Sequence, residues 1–147
     1  MKLTGSHLFE ADQATVWELL MNPEAIAKAL PGVRELIPIE GHDLTWQISA
    51  KVGLPFLSGN YIGTIQMREV EAPNQYRLTV SGGGQHSEVN GTALISLTQQ
   101  SDPNQTRVRW VAEATVSGEL ANIGERFIAL GVDALSQQFF YELAKQL

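Results

Sequence analysis

Apolar and polar residues alternate from the first positions, with Leu3, Gly5, His7 and Phe9 on one side and Lys2, Thr4, Ser6 and Glu10 on the other. A period of two is the pattern of a half-buried strand, here over residues 2 to 10. Asp12 then offers an N-cap, and the spacing lengthens to a helical stripe, Val16, Trp17 and Leu20, over Gln13 to Met21. Asn22-Pro23 breaks that helix, and a second short one from Glu24 to Leu30 ends at Pro31-Gly32. From Val33 to Gly118 the period returns to two. It predicts strands at Val33–Glu40, Leu44–Val52, Asn60–Glu71, Gln75–Gly82, His86–Gln100 and Thr106–Ser117. The breaks between them, Gly41-His42-Asp43, Pro55 to Gly59, Pro73-Asn74, Gly82-Gly83-Gly84 and Asp102-Pro103-Asn104, carry turn chemistry. Joints this short imply sequential antiparallel pairing.

Beyond Gly118 there is no proline, and the apolar residues fall into two helical rows: Leu120, Ile123, Phe127 and Ala134, and beside it Ile128, Val132, Leu135, Phe139 and Leu143. Together they make an arc wider than the ~100° stripe of an ordinary surface helix. A continuous helix over about 119 to 145, at ~1.5 Å per residue, is roughly 40 Å long and crosses a whole small domain. The fold class expected is α+β: a curled seven-stranded antiparallel sheet wrapped round a long C-terminal helix, with two short helices after the first strand. No internal repeat or linker divides the chain, so residues 1–147 form one domain.

The strand faces differ sharply. Trp46, Ile48, Tyr61, Ile65, Met67, Leu78, Val80, Ala93, Trp110 and Ala112 share an apolar side, whereas Gln47, Lys51, Arg77, Glu88, Arg109 and Glu113 lie opposite. Glycine and alanine recur among the large apolar residues, and Gly131 sits in the middle of the helix. Small residues on adjacent strands facing a small residue on a helix can leave a lined void. Glycines inside strands also mark the bends that curl a sheet, and both readings stand at this point. If there is a void, the expected ligand-binding lining is Trp46, Ile48, Ile65, Met67, Leu78, Val80, Ala93, Trp110 and Ala112 from the sheet, with Phe127, Gly131 and Ala134 from the helix. Its size should fall near the ~300–1,000 Å³ of small-ligand sites.

Composition narrows the function classes. The chain is 44% apolar and 18% charged, as in globular proteins, and has no cysteine, which removes disulfides and thiolate chemistry. A formal charge of −6 with scattered basic residues disfavours nucleic acid and anionic lipid surfaces. No apolar run reaches the ~18 residues of a membrane span, and the N-terminus has no signal-peptide core, so a cytoplasmic location is expected. His7, His42 and His86 lack the spacing of a metal site, and no nucleophile elbow or carboxylate pair occurs. The expectation is therefore of no metal, no cofactor and no catalytic residue. His7, Tyr61 and His86 remain as polar contacts for a cavity, or as acid–base groups if the protein is a cavity enzyme.

The order strand, two helices, six strands, helix resembles the helix-grip, START/Bet v 1-like (SRPBCC) superfamily. Within it the chain is similar to the family of the G subunit of carbon monoxide dehydrogenase. The residues that carry this are Phe9-Glu-Ala11, Val16-Trp17, Asn22-Pro23, Leu30-Pro31-Gly32 and Lys51-Val52-Gly53, then Gly59-Asn-Tyr-Ile-Gly63, Tyr76-Arg-Leu78, Gly91-Thr-Ala93 and the block Val116 to Ile128. The resemblance implies a non-catalytic accessory protein, encoded with molybdenum hydroxylases of the carbon monoxide dehydrogenase type. It also implies a hydrophobic cavity under the long helix, and a role in membrane recruitment or in coupling to lipid-soluble quinone carriers. The partners it implies are an apolar molecule, quinone- or lipid-like, and a molybdenum hydroxylase complex, with peripheral contact at the inner face of the membrane. Many relatives carry cysteine after Leu-Pro-Gly; here it is Val33, so no thiol role transfers. Some relatives extend into a C-terminal membrane anchor, whereas this chain ends at Leu147. Two other classes compete with the carrier: a polyketide cyclase/dehydratase-like cavity enzyme, and a protein-interaction module with a filled core.

Overall fold

Every strand of the computed structural model, which describes residues 1–53, 58–84 and 86–147, pairs antiparallel with its neighbours in one sheet. The elements run β1 (Lys2–Phe9), α1 (Gln13–Leu20), α2 (Pro23–Ala29), β2 (Val33–Pro38), β3 (Thr45–Val52), β4 (Gly59–Glu71), β5 (Gln75–Gly84), β6 (Ser87–Gln99), β7 (Thr106–Gly118) and α3 (Glu125–Ala144). The sheet order is β1-β7-β6-β5-β4-β3-β2, so sequential hairpins are joined by one return of β7 to β1. The two edge strands are the ones that flank the α1–α2 pair in sequence. This is the α+β helix-grip arrangement that the alternation predicts. The expected break from Pro55 to Gly59 begins outside the described residues.

Local chemistry sets the early helices. Asp12 occupies the position before α1, yet its side chain takes the Thr15 hydroxyl rather than a backbone N–H. The Gln13 N–H donates instead to Gln99 Oε1 on β6, at 2.9 Å, so the helix start is tied to the sheet. Asn22 caps α2 in the ordinary way: its side-chain oxygen accepts from Glu24 N–H at 3.0 Å, with Pro23 in the first turn.

The C-terminal helix departs from the expected continuous one. A 3-10 turn, Glu119–Ile123, comes first, and Gly124 at φ +96° separates it from α3. Glycine alone takes such a conformation readily, so the chain turns there without a proline. The buried Ser87 hydroxyl accepts from Leu120 N–H at 2.8 Å and fixes the turn to β6. The helix proper has 20 residues, roughly 30 Å at ~1.5 Å each. It shows Ile128 and Leu143 to the interior, while Phe127 is 41% exposed and Ala134 lies on the solvent side.

The packed core sits at one end of this arrangement. Phe9, Val16, Leu20, Val108 and Leu143 are sealed from solvent there, where α1, β1, β7 and the end of α3 meet. Along the middle of the sheet the inward apolar residues are only half-buried: Ile48, Ile65, Met67, Leu78, Ala93 and Ala112. An inward face that is apolar but incompletely covered is a hollow.

Candidate functional site

The hollow follows from the register of the strands. Ala112 pairs with Leu3 and with Ala93, Ala93 with Leu78, and Leu78 with Met67, which lays one apolar row across five strands. The next row is Gly5, Trp110, Ile95 and Tyr76. Alanines in the first row leave depth, and Trp110 in the second reaches over Gly5. A Cβ on Gly5 would sit 2.5 Å from the Trp110 indole nitrogen, so only glycine accommodates the ring there. Opposite the sheet, α3 contributes Val132, Leu135, Phe139 and Phe140, and Leu20, Met21, Ile26 and Leu30 from the α1–α2 pair close a third side. The hollow is partly open to solvent and has a volume of about 440 Å³. A smaller hollow of about 190 Å³ continues under the other half of α3, lined by Tyr61, Val89, Val116 and Ile128. Leu3, Val132 and Leu135 border both hollows and stand at the neck where the two meet.

Among the expected lining residues, Trp46, Ile48, Ile65 and Met67 border the larger hollow, as do Leu78, Ala93, Trp110 and Ala112. Val80 is on the inward face, paired with Ile65 and Gly91, but is not among the described residues bordering either space. The helix residues are placed differently from the expectation. Phe127 and Ala134 belong to the row that turns outward, and the buried Gly131 does not border the described hollows. The row that faces the sheet is Ile128, Val132, Leu135 and Phe139. Periodicity shows two adjacent rows; it does not say which one the sheet selects. The α1–α2 wall and Tyr76 lie outside the lining expected from sequence. The parity of Tyr76 with Leu78 and Val80 on β5 is the signal that points to it.

The polar candidates do not converge. His7 stacks on Phe140, with centroids 5.4 Å apart and planes 11° apart, and meets the edge of Phe9 at 4.7 Å. Burial, and then the Arg107 charge, lower its pKa, so the neutral imidazole is favoured. Tyr61 lines the smaller hollow, and burial raises its pKa. His86 is exposed, at φ +58°, just before β6. These side chains lie on separate elements, and no described pair of them forms an acid–base couple. Among the described residues no three His, Asp or Glu side chains gather as metal ligands, and no helix is long and apolar enough to cross a membrane.

The same architecture recurs in solved structures. A conserved protein from Geobacillus kaustophilus superposes with a TM-score of 0.94 at 27% identity, over 99% of this chain and 94% of that one. Protein Ms6760 from Mycobacterium smegmatis gives 0.72 at 15% identity, over 99% and 89%. TTHA0849 from Thermus thermophilus gives 0.70 at 9%, over 99% and 95%. The last two share the fold alone. No curated protein matches the sequence. The family profile described as the G subunit of carbon monoxide dehydrogenase (CoxG) matches residues 5–147, and the chain belongs to that family.

Proposed function

We propose that this protein is a non-catalytic accessory protein that carries a neutral apolar molecule, quinone- or lipid-like, in the hollow under α3. It would serve a molybdenum hydroxylase of the carbon monoxide dehydrogenase type; the family's description names carbon monoxide dehydrogenase. The observation that carries the reading is the hollow itself. Its lining contains no Asp, Glu, Lys, Arg or His among the described residues, and its volume of about 440 Å³ lies within the ~300–1,000 Å³ typical of small-ligand sites. Apolar surface left facing an empty space forgoes both dispersion contacts and the gain from leaving water, and an apolar guest supplies them. An acid–base enzyme needs titratable groups converging on one point, whereas His7 is sandwiched by aromatic rings and His86 faces solvent. The location that goes with this reading is cytoplasmic, with peripheral contact at the inner face of the membrane where lipid-soluble molecules are exchanged.

Native mass spectrometry of gently purified protein tests the proposal. The expected spectrum contains a species heavier than the chain by the mass of one apolar molecule, removed by organic extraction and restored by a decyl-substituted quinone. A protein that retains nothing and takes up no quinone sinks the carrier reading.

A further inference from the structure

Polar atoms are scarce around the larger hollow, and their state narrows what can bind there. Besides the indole nitrogens of Trp46 and Trp110, the lining offers the hydroxyls of Ser136 and Tyr76. The Ser136 hydroxyl already donates to the Asp133 carbonyl, at 2.9 Å. The Trp110 nitrogen is pressed against β1, 2.5 Å from where a Cβ on Gly5 would be. Tyr76 is different. Its side chain is 5% exposed, yet its hydroxyl has no hydrogen-bond partner among the described residues. Buried phenols ordinarily find a partner, because an unpaired one loses its hydrogen bond to water without replacement. The ring is held in place: Trp17 meets it edge-on at 5.8 Å and 77°, and Ile95 pairs with it across the sheet. A rigid donor on the lining of a largely apolar hollow is the arrangement that fixes the orientation of a small ligand.

We propose that the Tyr76 hydroxyl is the polar anchor of the hollow, donating a hydrogen bond to a carbonyl oxygen of the bound molecule. The ligand class is then a neutral apolar ketone or quinone, in preference to a fatty carboxylate or a plain hydrocarbon. This rests on the carrier reading and adds a chemical class to it. The phenol stays protonated, since burial pushes its pKa well above the ordinary tyrosine value, so it remains a donor. A carboxylate is disfavoured because the described lining holds no cation to pair with it, and an unpaired buried charge is costly. The smaller hollow adjoins the larger at Leu3, Val132 and Leu135, on the side toward which an alkyl chain on the ketone would run.

The test compares wild type with Tyr76→Phe, which removes one oxygen and keeps the ring. Both are titrated with 2-undecanone and with undecane, followed by the fluorescence of the tryptophans that line the hollow. The expected result is a roughly three- to tenfold loss of ketone affinity in the variant, the worth of one hydrogen bond, with undecane binding unchanged. Equal losses for both molecules, or no loss for the ketone, overturn the anchor while leaving the carrier reading intact. If neither molecule binds wild type, the carrier reading itself falls and the anchor with it. A second measurement needs no variant. The infrared carbonyl stretch of 13C-labelled 2-undecanone bound to wild type is expected below its frequency in hexane, and a hexane-like frequency overturns the hydrogen bond.

Discussion

Gly63 and Gly82 face one another across β4 and β5, and the space between them is backbone rather than void. A Cβ on Gly63 would come 2.5 Å from the Ser81 carbonyl oxygen, and one on Gly82 would come 2.7 Å from the Gly63 α-carbon. Of the two readings that strand glycines allow in the sequence, sheet curl is the right one for this pair. Gly91 is looser, with the Glu113 carbonyl oxygen at 3.4 Å and the Ala114 methyl at 3.6 Å. Sequence cannot separate these positions, because the difference lies in how closely a neighbouring strand approaches. Gly63→Ala should therefore destabilise by about 1–3 kcal/mol through overpacking. Gly91→Ala should be neutral or stabilise by up to about 1 kcal/mol, by restricting the unfolded chain. Urea denaturation of the two variants checks the pair, and equal effects would contradict the distinction. His7 supplies a second test at this scale. Its pKa is lowered from 6.5 by burial and by Arg107. The unfolded chain therefore takes up the proton first as the pH falls, and stability present above pH 6.5 is lost as the pH drops through that value toward the folded one. The melting temperature of wild type should drop more between pH 7.5 and 5.5 than that of His7→Phe, a ring that keeps the stack on Phe140. Parallel pH profiles would show that His7 is not held neutral by the fold.

Helix α3 is where sequence reasoning reached furthest and then stopped. The change of period at Gly118 is plain, and so are the two apolar rows, but a break at Gly124 is not. That residue reads as an ordinary glycine until its φ of +96° places it between a 3-10 turn and a helix. In the helix that follows, the Phe127–Ala134 row faces outward and the Ile128–Val132–Leu135–Phe139 row lies over the sheet. A filling substitution therefore belongs at Val132, which borders both hollows, rather than at Gly131, which borders neither described one. Val132→Phe adds a ring at the neck. It should weaken binding of a decyl-substituted quinone at least tenfold and leave the melting temperature unchanged or raised, since the added atoms enter space rather than packed protein. A variant that melts lower by several degrees and binds the quinone normally would show that the neck is solid and that the hollows do not communicate.

For the molecule as a whole, the strand order and the grip of the sheet on a helix were legible because a period of two persists through six consecutive strands with short turns. The third wall of the hollow was not, because α1 and α2 read as ordinary connecting helices. Their apolar residues Leu20, Met21, Ile26 and Leu30 have helical spacing, but only the return of β7 to β1 brings them over the sheet. The consequence is a domain whose core is uneven. One end is sealed around Phe9, Val16 and Leu143, while the centre holds a hollow of about 440 Å³. Stability should then depend on whether that centre is occupied. A molecule that binds the folded chain and not the unfolded one stabilises it in proportion to the logarithm of its concentration, by roughly 2.7 kcal/mol at a hundred times its Kd. In a chain of 147 residues each kcal/mol moves the midpoint by about 2–4 °C. Extracted protein given such an excess of decyl-substituted quinone should melt roughly 5–10 °C higher than the extracted protein alone. A protein-interaction module with a filled centre would show no such rise at any concentration. An increase that tracks the logarithm of quinone concentration and is blunted in Val132→Phe would locate the effect in the hollow, since nonspecific coating of the surface has no reason to depend on the neck.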